Sequence, residues 1–534
     1  MKIKVEKRTE GTSLAGPFSA KVDFALPYDC YAEKGLPIVM RPFAQFSLAK
    51  QVAPSASLYE AFGISVTETE VTVYASHPRA LFYALHTLPS LETDDGFPAG
   101  EFPAGEYLSY PDFALRGVIE GFYGNPWTMD ERRRLLSALA RQGMNAYFYG
   151  PKDDPLHRDR WDELYEDNSD TLTTLRAIAE ENHLSFHYML APGLSIRYSS
   201  EEDHAKLRAK YAQVYSFGVR HFGLLLDDLE SATLHKEDQE RFPRQVDAHI
   251  DLANRVYAML KEINPENTLI VCPTQYYGDV HGPYITALGQ GIPKDCALFF
   301  TGSRICSDRL TVAEAAAFAK STGHKPVYWD NYPVNDMEMV DELHIMPLSG
   351  REAGLHAVCD GLVANPMETA EASLLPLLTV ADYLWDTEGY NPSESFQKAA
   401  EAVLGKEYAA DAAVFAELCY RSCLNGNGFH FRFTSPHQNH PVFDELEKTG
   451  QLAPVKAFLE DAKASLAHLR SCPNTKFLQE CARFLDAAEA FCQSALALWQ
   501  GDDKELRAYL YRGEDVMKYE ARQLLDLFAK GNIA

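Results

Sequence analysis

The chain has 534 residues, 46% hydrophobic and 24% charged, with a formal net charge of −26 at pH 7. That length exceeds what a single hydrophobic core organises and points to about three domains. The negative charge repels polyanions at long range, which argues against nucleic acid, an anionic membrane or a polyanionic substrate and in favour of a neutral or cationic ligand.

Met1-Lys2-Ile3-Lys4-Val5-Glu6-Lys7-Arg8 contains no apolar run long enough for a signal peptide, and no later stretch approaches a membrane span. A cytoplasmic protein is expected unless a leader has been removed. The ten cysteines are scattered singly, with only Cys419-x-x-x-Cys423 close together. Buried thiols are expected, without disulfides or a zinc site.

Residues 1–110 read as a small α/β domain. Gly63–Thr67 and Glu70–Tyr74 alternate with period two as in a hairpin, and His77-Pro78-Arg79 opens an apolar helix through Leu81, Phe82, Ala84, Leu85 and Leu88. Leu91–Glu106, with its Gly, Pro and Asp content, reads as a linker or extended edge.

Over residues 111–390 the rhythm changes to repeated βα units. Strands are expected at Leu115–Glu120, Asn145–Tyr149, Ser185–Leu190, His221–Leu226, Thr268–Cys272, Ala297–Thr301, Pro326–Trp329 and Gly361–Ala364. Amphipathic segments between them include Met129–Gln142, Thr171–Glu181, Glu201–Phe217, Phe242–Ile263, Thr311–Lys320 and Glu368–Tyr383, and Thr128-Met129-Asp130-Glu131 offers a capping box. Eight strands each followed by helical material predict an α/β fold with a central TIM (β/α)8 barrel, whose active site gathers at the strands' C-terminal ends.

Residues 391–534 read as a helical C-terminal domain. Phe458, Ala462, Leu466 and Leu469 mark an apolar stripe, and single helical runs are expected at Lys476–Trp499 and Lys504–Phe528. Turn formers and histidines over Asn425–Pro441 predict a long loop that could reach the barrel mouth.

Strand four reads Phe222-Gly223-Leu224-Leu225-Leu226 and runs straight into Asp227-Asp228. Two carboxylates side by side in a pocket do not ionise together, so one stays charged while the other keeps a proton. Neighbours on one strand cannot flank a sugar carbon as an ordinary retaining glycosidase pair does. They do suit hydrolysis of a 2-acetamido sugar whose own amide oxygen attacks the anomeric carbon. One acid then holds the amide, and the other protonates the departing oxygen and afterwards activates water.

Arg116-Gly117-Val118-Ile119-Glu120-Gly121-Phe122-Tyr123-Gly124-Asn125-Pro126-Trp127, Tyr149-Gly150-Pro151-Lys152-Asp153-Asp154, Leu226-Asp227-Asp228 and Trp329-Asp330-Asn331 with Asn335-Asp336 follow one another in the order of a known family. The chain resembles the O-GlcNAcases, glycoside hydrolase family 84, over roughly Leu115 to Asp386, in a compact bacterial form. The resemblance implies a β-N-acetylglucosaminidase without metal or organic cofactor, acting on GlcNAc-bearing glycoconjugates or glycoproteins. It makes Asp227 the residue that orients the acetamido group and Asp228 the general acid/base. It places Gly121 and Lys152 in the sugar pocket, Tyr276 on the acetamido region and Trp329 around the acetamido methyl. Asn331 falls near the same group, Asp336 on the 4- and 6-hydroxyls and Asn365 on the 3- or 4-hydroxyl, with Tyr123 and Asp330 as supporting residues. Separately, helical C-terminal regions often dimerise, so a homodimer is a further expectation.

Three alternatives stand beside this one. A catalytically silent GlcNAc-binding barrel is opposed by the presence of both acids, and a hydrolase of hyaluronan-type polymers by the net charge. A metal-dependent hydrolase with Asp227, Asp228 and His157 as ligands lacks two histidines at ligand spacing near the strand ends.

Overall fold

The computed structural model describes residues 3–15, 38–52, 59–92, 101–152, 154–166, 170–229, 234–420 and 441–533. Strands Val5–Ala15 (β1), Ile38–Arg41 (β2), Phe62–Val66 (β3), Val71–Ala75 (β4) and Glu101–Ser109 (β5) form one sheet in the order β1-β5-β3-β4-β2. Helix Pro78–Glu92 (α1) packs against β3, β4 and β5. The β3–β4 hairpin forms as its alternation predicts, pairing Val66 with Val71. The stretch read as linker or extended edge over Leu91–Glu106 instead carries β5, which lies inside the sheet between β1 and β3. Pairing on both sides satisfies its backbone and overrides the weak strand propensity of its Gly and Pro.

Eight parallel strands then close a barrel: Leu115–Glu120 (β6), Ala146–Tyr149 (β7), Ser185–Leu190 (β8), His221–Leu225 (β9), Thr268–Cys272 (β10), Ala297–Phe300 (β11), Pro326–Asp330 (β12) and Gly361–Ala364 (β13). Each pairs with the next, and β13 returns to β6. Alternate side chains point inward, so Ile119, Phe148, Met189, Leu225, Ile270, Phe299, Val327 and Val363 fill the interior as a packed core. Gly223 is required by that packing, because a Cβ there would collide with the thioether of Met189. The outward-facing set packs against helices Met129–Arg141 (α2), Asp170–Glu181 (α3), Glu201–Ser216 (α4), Gln245–Ile263 (α6), Pro283–Gly291 (α7), Val312–Thr322 (α8) and Ala370–Trp385 (α9), while the short polar helix Lys236–Arg241 (α5) precedes α6 in the chain.

Two features depart from the expected regular alternation. Helix α7, missing from the predicted set, starts on Pro283, a residue suited to a first helical turn. No α-helix lies between β12 and β13. The segment from Asn331 to Asp360 holds only the short turns Met337–Met339 and Leu355–Ala357, and it forms one side of the barrel mouth. The capping box at Thr128 is present, with the Thr128 hydroxyl accepting from the Glu131 amide.

The small domain is fastened to the opposite end of the barrel. Arg116, fully buried at the start of β6, donates to Glu60 Oε2 at 2.9 Å and to the carbonyls of Phe113 and Gly143. Glu60 also receives Arg79 at 3.2 Å and Asn145 at 3.1 Å. Arg116 thus belongs to a structural joint far along the strand from the site, although it opens the most specific motif.

After α9 come Pro392–Leu404 (α10), Ala409–Leu418 (α11), Pro441–Thr449 (α12), Ala453–Leu469 (α13), Thr475–Glu480 (α14), Ala482–Ala497 (α15), Lys504–Tyr509 (α16) and Lys518–Ala529 (α17). The run expected over Lys476–Trp499 is two helices broken at Cys481, and that over Lys504–Phe528 is broken between Tyr509 and Lys518. Ala462, Leu466 and Leu469 are buried in the bundle core, with Phe458 at its edge. Leu343 and Ile345 of the long β12–β13 segment enter the same core. Cys419 caps α11, and Cys423 lies outside the described residues, as does the loop expected over Asn425–Pro441 except for Pro441, which opens α12. The eight described cysteines are all buried. Among the described residues no helix is long and apolar enough to cross a membrane.

Candidate active site

Because parallel barrel strands all end at one face, residues far apart in sequence converge there. A cavity of about 750 Å³ opens at that mouth, and Gly121, Lys152, Asp227, Asp228, Tyr276, Trp329, Asn331, Asp336 and Asn365 all line it. Tyr123 does so as well. Asp330 does not: it is buried beneath, in a two-pronged ion pair with Arg351 whose Nε lies 2.8 Å from Oδ2.

The two acids have different surroundings. The Asp227 side chain is 8% exposed, and its Oδ2 accepts from Lys152 Nζ at 2.6 Å. Its Oδ1 is buried with no hydrogen-bond partner among the described residues. Burial favours the neutral acid, yet Lys152, with help from Arg158, overcomes it and holds the Asp227 carboxyl below the usual carboxylate range. Burial likewise opposes the Lys152 charge, and Asp227 outweighs it, so the ammonium is held above its ordinary value. Asp227 is therefore the ion-paired member of the two, with Lys152 favouring its charged form.

Asp228 is the open member, with its side chain 35% exposed. Its Oδ2 accepts from Tyr123 OH at 2.8 Å and its Oδ1 from Tyr276 OH at 3.1 Å. The backbone at Asp228 is left-handed, with φ at +53°. Such a conformation costs an ordinary residue roughly 1 kcal/mol and marks positions where side-chain direction matters.

The remaining walls are held by their neighbours. Trp329 packs edge-on to Phe299, with centroids 5.3 Å apart, and its indole donates to Asn331 Oδ1 at 3.0 Å. The same oxygen accepts from Asn365 Nδ2 at 3.0 Å, while Asn331 Nδ2 donates to the Ile305 carbonyl at 2.8 Å. Asn365 Oδ1 is buried with no hydrogen-bond partner among the described residues. Asp336 Oδ2 accepts from the Tyr123 amide at 2.8 Å, and burial pushes its carboxyl upward. Gly121 is needed for closeness: a Cβ there would sit 2.6 Å from the Trp329 ring.

Several residues at the mouth escaped the sequence reading. Thr301, Ser303, Arg304, Ile305 and Cys306 form a wall after β11, and Tyr277, Met337 and Met339 complete the rim. For Tyr277 and the Thr301–Cys306 wall the position after a barrel strand was the available signal, whereas Met337 and Met339 lie farther along the segment after β12. Arg158, which donates to Tyr123 OH at 3.2 Å, sits one residue past His157, beyond the motif around Lys152. His157 itself is buried, with Nδ1 2.7 Å from the Met189 carbonyl. No cluster of three metal-ligating side chains occurs among the described residues.

A parallel (β/α)8 barrel carrying a cation-held carboxylate and an open one at the end of its fourth strand, beside a tryptophan wall, has the groups for acid–base hydrolysis, and its relatives make it a glycoside hydrolase. The comparisons with known proteins narrow the class. The family model described as beta-N-acetylglucosaminidase matches residues 116–417, and the chain belongs to that family. The Protein O-GlcNAcases of Rattus norvegicus and Mus musculus are each 34% identical over 276 residues, 50% of this chain. The match spans 30% of those relatives' own length. An O-GlcNAc hydrolase mutant structure from Thermobaculum terrenum is 29% identical with a TM-score of 0.70, covering 79% of this chain and 95% of that one. The structure named CpGH84B, at 24% identity, shares the fold with a TM-score of 0.72 over 91% of this chain and 85% of its own.

Proposed function

We propose that the chain is a retaining β-N-acetylglucosaminidase that removes O-linked GlcNAc from proteins or peptides and cleaves aryl GlcNAc glycosides through an oxazoline intermediate. The observation that carries this reading is the asymmetry of the acids: a charged, buried Asp227 with one unpartnered oxygen beside an open Asp228. An unsatisfied buried acceptor costs about 1–3 kcal/mol, which a donor from the ligand can offset. The N–H of a 2-acetamido group is such a donor, and the anion behind it balances the positive charge that grows as the amide oxygen attacks the anomeric carbon. Asp228 gives a proton to the departing oxygen and then takes one from the attacking water. Trp329 walls the acetamido methyl, and Asp336 and Asn365 receive the sugar hydroxyls.

The relatives' printed names, O-GlcNAcase and O-GlcNAc hydrolase, support the substrate class. The test is a pair of variants on two leaving groups. Asp228→Asn should lose about 10²–10⁴-fold in kcat/KM on a glycopeptide but little on a 2,4-dinitrophenyl glycoside, which leaves without a proton. Asp227→Asn should lose rate on both, and a thiazoline mimic of the cyclised sugar should inhibit the unaltered protein. If Asp228→Asn turns over the glycopeptide normally, or the thiazoline leaves hydrolysis untouched, the mechanism is wrong.

A further inference from the structure

We propose that Tyr123 is a positioning residue that decides which oxygen of Asp228 carries the transferable proton: Oδ2 keeps the charge and Oδ1 keeps the proton. This rests on Asp228 being the general acid/base. Tyr123 donates its phenol to Asp228 Oδ2 at 2.8 Å while its oxygen receives Arg158 Nη1 at 3.2 Å. A phenol has one proton and a guanidinium only donates, so the Tyr123 proton has no second acceptor there and stays on Oδ2. A proton on Oδ2 itself would face that phenol hydrogen. Lys152 adds to the bias, since its Nζ is 4.0 Å from Oδ2 and 5.3 Å from the centre of the Tyr123 ring.

Oδ1 has a different neighbour. Its hydrogen bond comes from Tyr276 OH at 3.1 Å, and a hydroxyl can turn to accept from an Oδ1–H as readily as it donates to an anionic Oδ1. The other ionisable groups facing Asp228 are Asp227, Asp336 and Cys272. None of the three donates a hydrogen bond to Asp228 in this arrangement.

In the first step the proton passes from Oδ1 to the glycosidic oxygen as the anomeric C–O bond breaks toward that oxygen and the acetamido oxygen bonds to the anomeric carbon. Asp228 is left as a carboxylate with its charge toward Tyr123 and Lys152. In the second step Oδ1 takes a proton from water as the water oxygen bonds to the anomeric carbon and the acetamido oxygen leaves it.

The test is Tyr123→Phe, which keeps the ring and deletes the donor. It should lower kcat/KM for 4-methoxyphenyl GlcNAc by about tenfold or more, because the acid is no longer held in line. For 2,4-dinitrophenyl GlcNAc the change should stay within about twofold, since that leaving group needs no proton. The alkaline limb of the 4-methoxyphenyl profile should also move up by about one pH unit, as expected for removing one donor from an anion. Arg158→Met, which keeps the phenol but frees its orientation, should show the same pattern more weakly. Equal losses on both glycosides, or a selective loss without movement of the limb, overturn the proposal. Asp228→Asn run alongside separates the two ideas: if it spares 4-methoxyphenyl GlcNAc, the reading of Asp228 fails and not merely the role of Tyr123.

Discussion

Replacing Lys152 by Met removes the cation from a pair in which Lys152 is 5% and Asp227 8% exposed. Breaking a buried pair by deleting one partner costs about 3–5 kcal/mol, because the charge left behind is no longer compensated. The sign with pH identifies the cause. In the unaltered protein the folded Asp227 lies below its unfolded value of about 3.9, so its contribution to stability is present above that pH and is lost as pH falls through the folded value. Lys152 is held above its unfolded value of about 10.4, so its share is present below that pH and fades as pH rises through its folded value. In Lys152→Met burial acts on Asp227 against only the weaker pull of Arg158 and a backbone hydrogen bond, and its carboxyl rises, so the unfolded chain loses its proton first and stability now falls as pH rises. Urea unfolding should therefore show a deficit of about 3–5 kcal/mol at about pH 8 that shrinks on moving to about pH 5, with the acidic limb of 2,4-dinitrophenyl GlcNAc hydrolysis displaced upward. A deficit of the same size at both pH values would show that lost packing and not charge is responsible, and would refute the argument.

Gly121→Ala would press a methyl to 2.6 Å from the Trp329 ring, so kcat/KM for aryl GlcNAc should fall and stability drop by about 1–3 kcal/mol, read by kinetics and urea melts. Arg351→Met leaves Asp330 buried and charged beneath Trp329, which should destabilise by about 3–5 kcal/mol in denaturant titration and change the Trp emission. Glu60→Ala strips the fully buried Arg116 of its carboxylate at the far end of the barrel. It should cost at least about 3 kcal/mol while leaving the KM of the folded fraction unchanged, a contrast read by calorimetry and steady-state kinetics.

Much of the barrel was legible in the sequence because strands buried on both faces read as nearly unbroken apolar runs; Gly361–Ala364 and Thr268–Cys272 fall where their composition places them. Strand β5 was not, since its Gly and Pro carry the composition of a linker and only its two neighbours make it a strand. The long segment after β12 was equally opaque, because its apolar residues Leu343 and Ile345 are buried by the C-terminal bundle and not by any periodic pattern of their own.

The sequence by itself determined that Asp227 and Asp228 stand at the end of a buried strand, beside a pocket assembled from other strand ends. That follows from local patterning and from the rule that parallel barrel strands finish on one face. Which acid is charged and which is open was decided only by the tertiary structure. The deciding partners, Lys152 and Tyr123, lie 75 and 105 positions away in the chain. Electrostatic and hydrogen-bond energies depend on distances of a few ångströms, and no spacing along a sequence fixes these until the barrel closes.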